Sequence, residues 1–244
     1  MANVNIAELR KVRDYKITSI REDVHNIIIL TLSSVTSDRL PNSLPGQFLN
    51  LHTADLENKP IFRPYSIASS PGVTDLELCI KILTDGKFSA PLSKKKVGDT
   101  IGVSGPYGFF TYENQTNAVF MTAGTGIAPI MAMLRTIVEK NVQGNFILFY
   151  SNKTKDSIIY FDELNQMMVK NPSIKIIFTL TQETDGPWAG EKGRICDPMV
   201  KKYLNKAEDF DYYFCGPLEF IKTMKTCVVS LGAKPEKIKA EGWG

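Results

Sequence analysis

The chain has 244 residues, of which 43% are hydrophobic and 23% charged, with a formal net charge of +3. This length allows one large domain or two ordinary ones, with a core that needs neither disulfide nor structural metal. The small net charge argues against nucleic acid or a membrane surface as partner. Four cysteines, Cys79, Cys196, Cys215 and Cys227, are widely scattered, and His25 and His52 are the only histidines. No pair has zinc or iron–sulfur spacing, so no metal is expected. Scattered thiols without a signal sequence fit a reducing cytoplasm. The most apolar stretch, 118–134, is short for a membrane span and is interrupted by Gly124, Gly126 and Pro129.

From Tyr15 to about Phe110 the pattern is of short strands between turns. Residues 26–33, 47–52, 76–83 and 100–104 are β-rich, with turn signals at Pro41-Asn42, Pro45-Gly46, Pro71-Gly72, Asp85-Gly86 and Gly98-Asp99. Such spacing predicts a small antiparallel barrel, with one short helix near 88–94. Lys94-Lys95-Lys96 reads as a solvated turn; a docking point for an acidic redox partner is the lesser alternative.

Within this half, Arg63-Pro64-Tyr65-Ser66-Ile67-Ala68-Ser69-Ser70 joins an arginine, an aromatic ring and small hydroxyls in one extended segment. Alternation puts Arg63 and Tyr65 on one side and Ser66 on the other. An arginine fork suits phosphate and a tyrosine face suits a flat ring, a pairing that fits a flavin nucleotide. An edge strand with a surface arginine is the competing reading. Asp85-Gly86-Lys87-Phe88-Ser89 is either a phosphate-binding turn, using amides and the Ser89 hydroxyl, or an ordinary hairpin turn. Gly105-Pro106-Tyr107-Gly108 reads as a rigid structural turn.

After about Glu113 the pattern changes. Strands are expected at 118–122, 145–150, 174–180, 212–215 and 238–240, and helices at 128–139, 158–169 and 217–231. Alternation of this kind predicts a parallel sheet covered on both faces. The boundary falls within 110–116, giving domains of 1–112 and 113–244. Thr122-Ala123-Gly124-Thr125-Gly126-Ile127-Ala128-Pro129 joins the first of these strands to its helix. Its glycines allow a diphosphate to approach the helix N-terminus, and Pro129 suits an early helical position. A third glycine is absent, and the second strand runs into Ser151-Asn152-Lys153 without an acidic residue. A merely tight strand-to-helix turn is about equally compatible. Phe214-Cys215-Gly216-Pro217 ends another strand, where ligands of parallel sheets sit, although a buried inert cysteine is the plainer reading. The chain finishes at Glu241-Gly242-Trp243-Gly244, whose tryptophan packs either on a flat ligand or on the core.

Taken in order, these segments resemble the ferredoxin–NADP reductase superfamily of flavin-dependent NAD(P)H oxidoreductases, over nearly the whole chain. Arg63-Pro64-Tyr65-Ser66 resembles its flavin motif and Gly86-Lys87-Phe88-Ser89 its flavin phosphate loop. Residues 122–129 are similar to its pyridine-nucleotide loop, and Cys215-Gly216-Pro217 to the segment beside the nicotinamide. Gly190-Glu191-Lys192-Gly193-Arg194 also falls at a matching place. The resemblance implies that Tyr65 stacks on the isoalloxazine, Arg63 binds the flavin phosphates and Ser66 hydrogen-bonds near N5. It adds Pro64, Ile80 and Lys81 to the flavin contacts. For the coenzyme it implies Thr122, Gly124, Thr125, Gly126, Ile127, Pro129, Gly216 and Pro217, with Lys153 near a phosphate. Cys215 borders the nicotinamide, Glu241 assists proton movement or acceptor coupling, and Trp243 covers the ring face. Gly244 extends past that aromatic.

The cofactors so implied are FAD rather than FMN, and NAD(P)H. Thr181-Gln182 stands where NADP-preferring members carry a serine–arginine pair, which favours NADH. The implied reaction is hydride transfer from NAD(P)H to bound FAD, then electrons to a ferredoxin, a cytochrome or an oxygenase component. Two alternatives stay open: a reductase using free flavin as substrate, and a nucleotide-binding electron-transfer subunit of a larger complex.

Overall fold

The computed structural model describes residues 6–55, 57–182 and 187–243. The chain divides into two units. One runs to Tyr112 and takes in Met131–Met133; the other comprises Glu113–Ile130 and Leu134–Gly244.

In the first unit a short helix, α1 (Ile6–Arg10), precedes strands β1 (Arg13–Val24), β2 (Ile27–Ser34), β3 (Phe48–Ala54), β4 (Pro60–Ser66) and β5 (Asp75–Lys81). A one-turn helix, α2 (Ser89–Leu92), leads to β6 (Thr100–Tyr107). β1, which the sequence pattern does not delimit, buries Arg13, Tyr15 and Ile17 and exposes Asp14, Lys16 and Thr18, the alternation of a half-buried strand. The buried Arg13 guanidinium is paired with Asp38 at 2.9 Å and with Glu8, as a charge removed from water must be. The strands are antiparallel in the order β4-β3-β6-β1-β2-β5. An Ile67–Leu78 bridge and an Ala68 N–H bonded to the Glu77 carbonyl at 2.8 Å join the β4 segment to β5 and close the barrel. Leu30, Leu32, Leu49, Leu51, Leu78 and Val103 fill its interior. The helix expected at 88–94 is shorter. Residues 93–94 form a turn instead, the Lys94 N–H donating to the Pro91 carbonyl at 3.2 Å, and a second turn follows in which the Lys96 N–H donates to Asp99 at 2.8 Å.

The second unit contains β7 (Asn117–Ala123), α3 (Ile127–Glu139), β8 (Asn145–Asn152), α4 (Phe161–Lys170), β9 (Ile174–Leu180), β10 (Glu191–Lys192), α5 (Asp197–Tyr203), β11 (Asp211–Pro217), α6 (Leu218–Ser230) and β12 (Ile238–Trp243). All six strands are parallel, in the order β10-β9-β8-β7-β11-β12. Helices on both faces explain why residues 118–121 and 146–150 are uninterrupted buried runs. Beyond the short β10, which was not expected, three details differ from the sequence expectation. α4 starts at Phe161 rather than 158, because Tyr160 takes a left-handed φ of 59° that the preceding chain cannot pass through as helix. α5 was not expected; Pro198 sits in its first turn, where a missing N–H costs nothing. β12 continues past Ala240 to Trp243 because each residue pairs with β11. Strand order reverses between β7 and β11, and a parallel sheet offers its ligand crevice at that point, beyond the strands' carboxyl ends.

Candidate functional site

In the barrel unit, β4 carries the Arg63–Ser66 segment expected to meet a flavin. Leu51 pairs with Arg63 and Leu49 with Tyr65, so these two side chains share a face, while Ser66 pairs with Phe48 on the other. Arg63 is exposed, and its Nη1 donates to the Phe62 carbonyl at 2.8 Å; among the described residues no carboxylate pairs with it. Tyr65 is half-buried, and its ring lies 5.7 Å from that of Phe88. Burial pushes the Tyr65 phenol up to about 12, against the opposing Arg63 charge. The Tyr65–Phe88 contact brings the flavin motif and the 86–89 loop together. Pro64 is exposed opposite Asn50; Ile80 is buried in the barrel and Lys81 exposed at the end of β5.

The 86–89 loop is held from within. Ser89 Oγ accepts from the Leu83 N–H at 3.0 Å and donates to the Leu83 carbonyl at 3.3 Å. A β-carbon on Gly86 would lie 2.5 Å from that hydroxyl, which explains the glycine. The Ser89 side chain is therefore engaged in the loop. Among the described residues the amides of Lys87 and Phe88 have no hydrogen-bond partner, which leaves them for an anion. The exposed Lys87 ammonium adds positive charge beside them.

In the parallel-sheet unit three adjacent strands align Thr122, Cys215 and Glu241 in one row across β7, β11 and β12. The next rows pair Gly216 with Gly242 and Pro217 with Trp243. Thr122 Oγ1 donates to the Cys215 carbonyl at 2.8 Å, and a β-carbon on Gly126 would lie 2.4 Å from the same oxygen. The strand-to-helix loop is thus pressed against the end of β11. Gly124, at φ +52°, has nothing within 4 Å of where a β-carbon would be, so its outer side is open. The Tyr150 hydroxyl fixes its carbonyl at 3.0 Å. Thr125 is half-buried, Ile127 is buried and Pro129 is buried within α3. Burial pushes the Cys215 thiol well above its ordinary range, and the Glu241 charge pushes it the same way. Cys215 is accordingly a neutral wall and not a thiolate. Trp243 is 43% exposed, so it does not cap the core. Gly244 lies outside the described residues.

Lys153 stands exposed just beyond β8, its carbonyl accepting the Gln182 N–H at 2.9 Å. The neighbouring carboxyl ends of β8 and β9 open into a cavity of about 310 Å³, lined by Ser151, Thr181, Arg194 and Phe220. Sequence reasoning gave Arg194 no role and did not single out Phe220. Only the Gly193-Arg194 step after β10 could have signalled this wall.

Both clusters fit the nucleotides expected of them. Free amides, exposed cations and a half-buried ring suit a flavin diphosphate and isoalloxazine. At the parallel-sheet edge, the buried Asn152 amide nitrogen has no hydrogen-bond partner among the described residues. The Gly126 contact shows the loop backbone packed closely against the end of β11. Among the described residues no cluster of metal-binding side chains occurs, and no helix is long and apolar enough to cross a membrane.

Residues 11–112 match the model of an oxidoreductase FAD-binding domain, and residues 120–226 that of an oxidoreductase NAD-binding domain. NADH-cytochrome b5 reductase 1 of Mortierella alpina is 31% identical over 230 residues, which are 90% of this chain and 76% of that protein. The flavohem-like FAD/NAD binding domain of nitric oxide dioxygenase from Vibrio cholerae O1 biovar El Tor superimposes with a TM-score of 0.87 at 20% identity, over 95% of this chain and 98% of that one. A ferredoxin NADP+ reductase from Neisseria gonorrhoeae, solved with FAD and NADP, gives 0.81 at 21% identity, over 95% and 98% of the two chains. At such identities the structural likeness establishes the fold.

Proposed function

The chain belongs to the ferredoxin–NADP reductase superfamily of flavin-dependent NAD(P)H oxidoreductases, and from that premise we propose that it carries electrons from NADH through bound FAD to a separate one-electron acceptor protein. It is an enzyme with FAD and a nicotinamide coenzyme as its cofactors. The acceptor is a cytochrome, a ferredoxin or an oxygenase component, and the likeness to an NADH-cytochrome b5 reductase supports the cytochrome. Residues 1–112 form the flavin domain and 113–244 the coenzyme domain.

The observation that carries this reading is the Thr122–Cys215–Glu241 row, with the glycine loop pressed against it. FAD supplies the capacity to accept a hydride and to release electrons one at a time. The chain's own residues bind and orient. Arg63, Lys87 and the 87–88 amides hold the flavin diphosphate; Tyr65 presents a flat face to the ring, with Pro64, Ile80 and Lys81 around it. Ser66 offers its hydroxyl to the N5 edge. Gly124, Thr125, Gly126 and Ile127, with Pro129 setting the start of α3, hold the coenzyme diphosphate, and Lys153 stands near it. Cys215, Gly216 and Pro217 bound the nicotinamide with an uncharged surface, so orientation is achieved without a competing nucleophile. Glu241 assists proton movement or acceptor coupling near that ring, and Trp243 covers the ring face until nicotinamide enters. The adenosine end occupies the Ser151–Thr181–Arg194–Phe220 cavity, Phe220 giving it an aromatic wall. The Thr181-Gln182 pair adds no cation of its own to Arg194, which supports NADH, as does the relative's name.

An anaerobic titration tests the whole reading. Purified protein is expected to be yellow, and NADH should bleach its flavin absorbance at lower concentration than NADPH. A colourless protein that oxidises NADH only with added flavin would point instead to flavin as a diffusing substrate. Flavin that neither coenzyme reduces would leave a non-turnover electron-transfer subunit.

A further inference from the structure

The second unit holds two thiols that the proposed electron path does not use. Cys196 is exposed and stands just before α5, in extended backbone at φ −147° and ψ 167°; Cys227 lies on α6 and is 5% exposed. Although far apart in sequence, they line one cavity of about 370 Å³ between the start of α5 and α6, together with Asp197 and Thr226. The Asp197 carboxylate lies against the Cys227 thiol and accepts from Ser230 Oγ at 3.1 Å. Burial and that carboxylate push the Cys227 thiol up to about 12. The cavity shares Ile195, Glu219 and Thr223 with the Arg194 cavity beyond it.

From this arrangement we infer that Cys196 and Cys227 are a redox dithiol, which a hydroperoxide entering the cavity converts to a disulfide bridging α5 and α6. An exposed sulfur meets the oxidant, and a buried one resolves the product. The Cys196 sulfur attacks a peroxide oxygen; the S–O bond forms, the O–O bond breaks, and the leaving oxygen departs as water with the thiol proton. Cys227 then attacks the resulting sulfenic sulfur. The S–S bond forms, the S–O bond breaks, and hydroxide takes the Cys227 proton past Asp197 to leave as a second water. Two thiols and one hydrogen peroxide give one disulfide and two waters, the thiols losing two electrons to the peroxide. Buried and held protonated, Cys227 is a poor target for oxidant in solution; it becomes a nucleophile only as its proton leaves past Asp197, once the sulfenic acid has formed in the shared cavity. Cys196 stands outside the helix, so closure moves a loop residue rather than a helical turn. The bridge pulls on the Arg194–Cys196 segment and weakens coenzyme binding, a consequence that rests on the adenosine assignment above.

The test uses the full chain with its FAD. After hydrogen peroxide, intact mass should fall by two hydrogens. Peptide mapping should join Cys196 to Cys227, and dithiothreitol should reverse both changes. Cys196→Ala should abolish the bridge and leave kcat unchanged. The oxidised form should show a KM for NADH raised roughly fivefold or more, the low end of ordinary coupling between sites. Sulfinic or sulfonic acid on Cys196 with Cys227 still a free thiol overturns the dithiol, whatever the coenzyme does. A bridge with unchanged KM sustains the dithiol and removes the adenosine from that cavity. A bridge with raised KM sustains both.

Discussion

Arg63 presents an exposed guanidinium on the same face as the Tyr65 ring and meets no carboxylate among the described residues. A charge-assisted hydrogen bond to phosphate contributes about 1.5–3 kcal/mol, so Arg63→Ala should weaken FAD retention roughly 10- to 150-fold. The ratio of flavin to protein absorbance after desalting reads this directly, and an unchanged ratio removes Arg63 from the site. Lysine should restore only part of the loss, because it lacks the planar fork. Arg194 makes the opposite test. It is the cation lining the cavity beside Thr181, where a 2′-phosphate would lie. Arg194→Ala should therefore raise the KM for NADPH more than that for NADH; equal effects would take the ribose out of that cavity. Cys215 predicts an absence. Its thiol is held protonated by burial and by Glu241, so kcat/KM should show no thiol inflection up to the ordinary value of 9.0. An inflection near there that Cys215→Ala abolishes would make the residue a thiolate after all.

Glycine at 126 joins strand order to chemistry at the scale of elements. The β7–α3 loop can lie against the end of β11 only because no β-carbon stands 2.4 Å from the Cys215 carbonyl. Gly126→Ala should cost about 1–3 kcal/mol of stability by overpacking. It should also raise coenzyme KM with little change in FAD content, since the residues proposed to hold the flavin belong to the other unit. Thermal denaturation and a flavin spectrum separate these effects, and loss of FAD would show that the loop supports more than the coenzyme. The loop's residues were legible in sequence because glycines, a proline and a strand-to-helix change coincide within 122–129. The 310 Å³ cavity was not legible, because Ser151, Thr181, Arg194 and Phe220 come from four separate segments and meet only through parallel pairing and the packing of α6. Local pattern also overstated Ser89. Its type suits phosphate, but its hydroxyl closes the loop on Leu83.

Over the whole chain, two periodicities made the architecture readable: alternation with frequent turns before Tyr112, and long buried strand runs between helices after Glu113. α5 and the true start of α4 escaped, because they depend on a proline in a first turn and on the left-handed Tyr160. What periodicity cannot give is the protonation balance, which sets stability against pH. Burial lowers the pKa of His52, whose Nε2 lies 2.9 Å from Ser104 Oγ. The unfolded chain therefore binds that proton more readily, and stability falls as pH drops below the ordinary value of 6.5. Asp38, held down by Lys11 and Arg13, and Asp55, held down by the Lys59 amide, act in the same sense further down. Their contribution is present above the ordinary value of 3.8 and is lost as pH falls through their folded values. The alkaline side has the opposite cause. Burial raises the thiols of Cys79 and Cys215 and the phenols of Tyr65, Tyr112 and Tyr212, so the unfolded chain releases these protons first. Stability must then fall as pH rises past the ordinary thiol value of 9.0. The melting temperature should be flat between about pH 7 and 8.5 and decline on both sides. His52→Gln, which keeps a hydrogen-bonding group near Ser104, should remove the first acid step and leave the alkaline arm unchanged. A melting temperature still rising above pH 9 would contradict burial of the thiols, and with it the neutral wall assigned to Cys215.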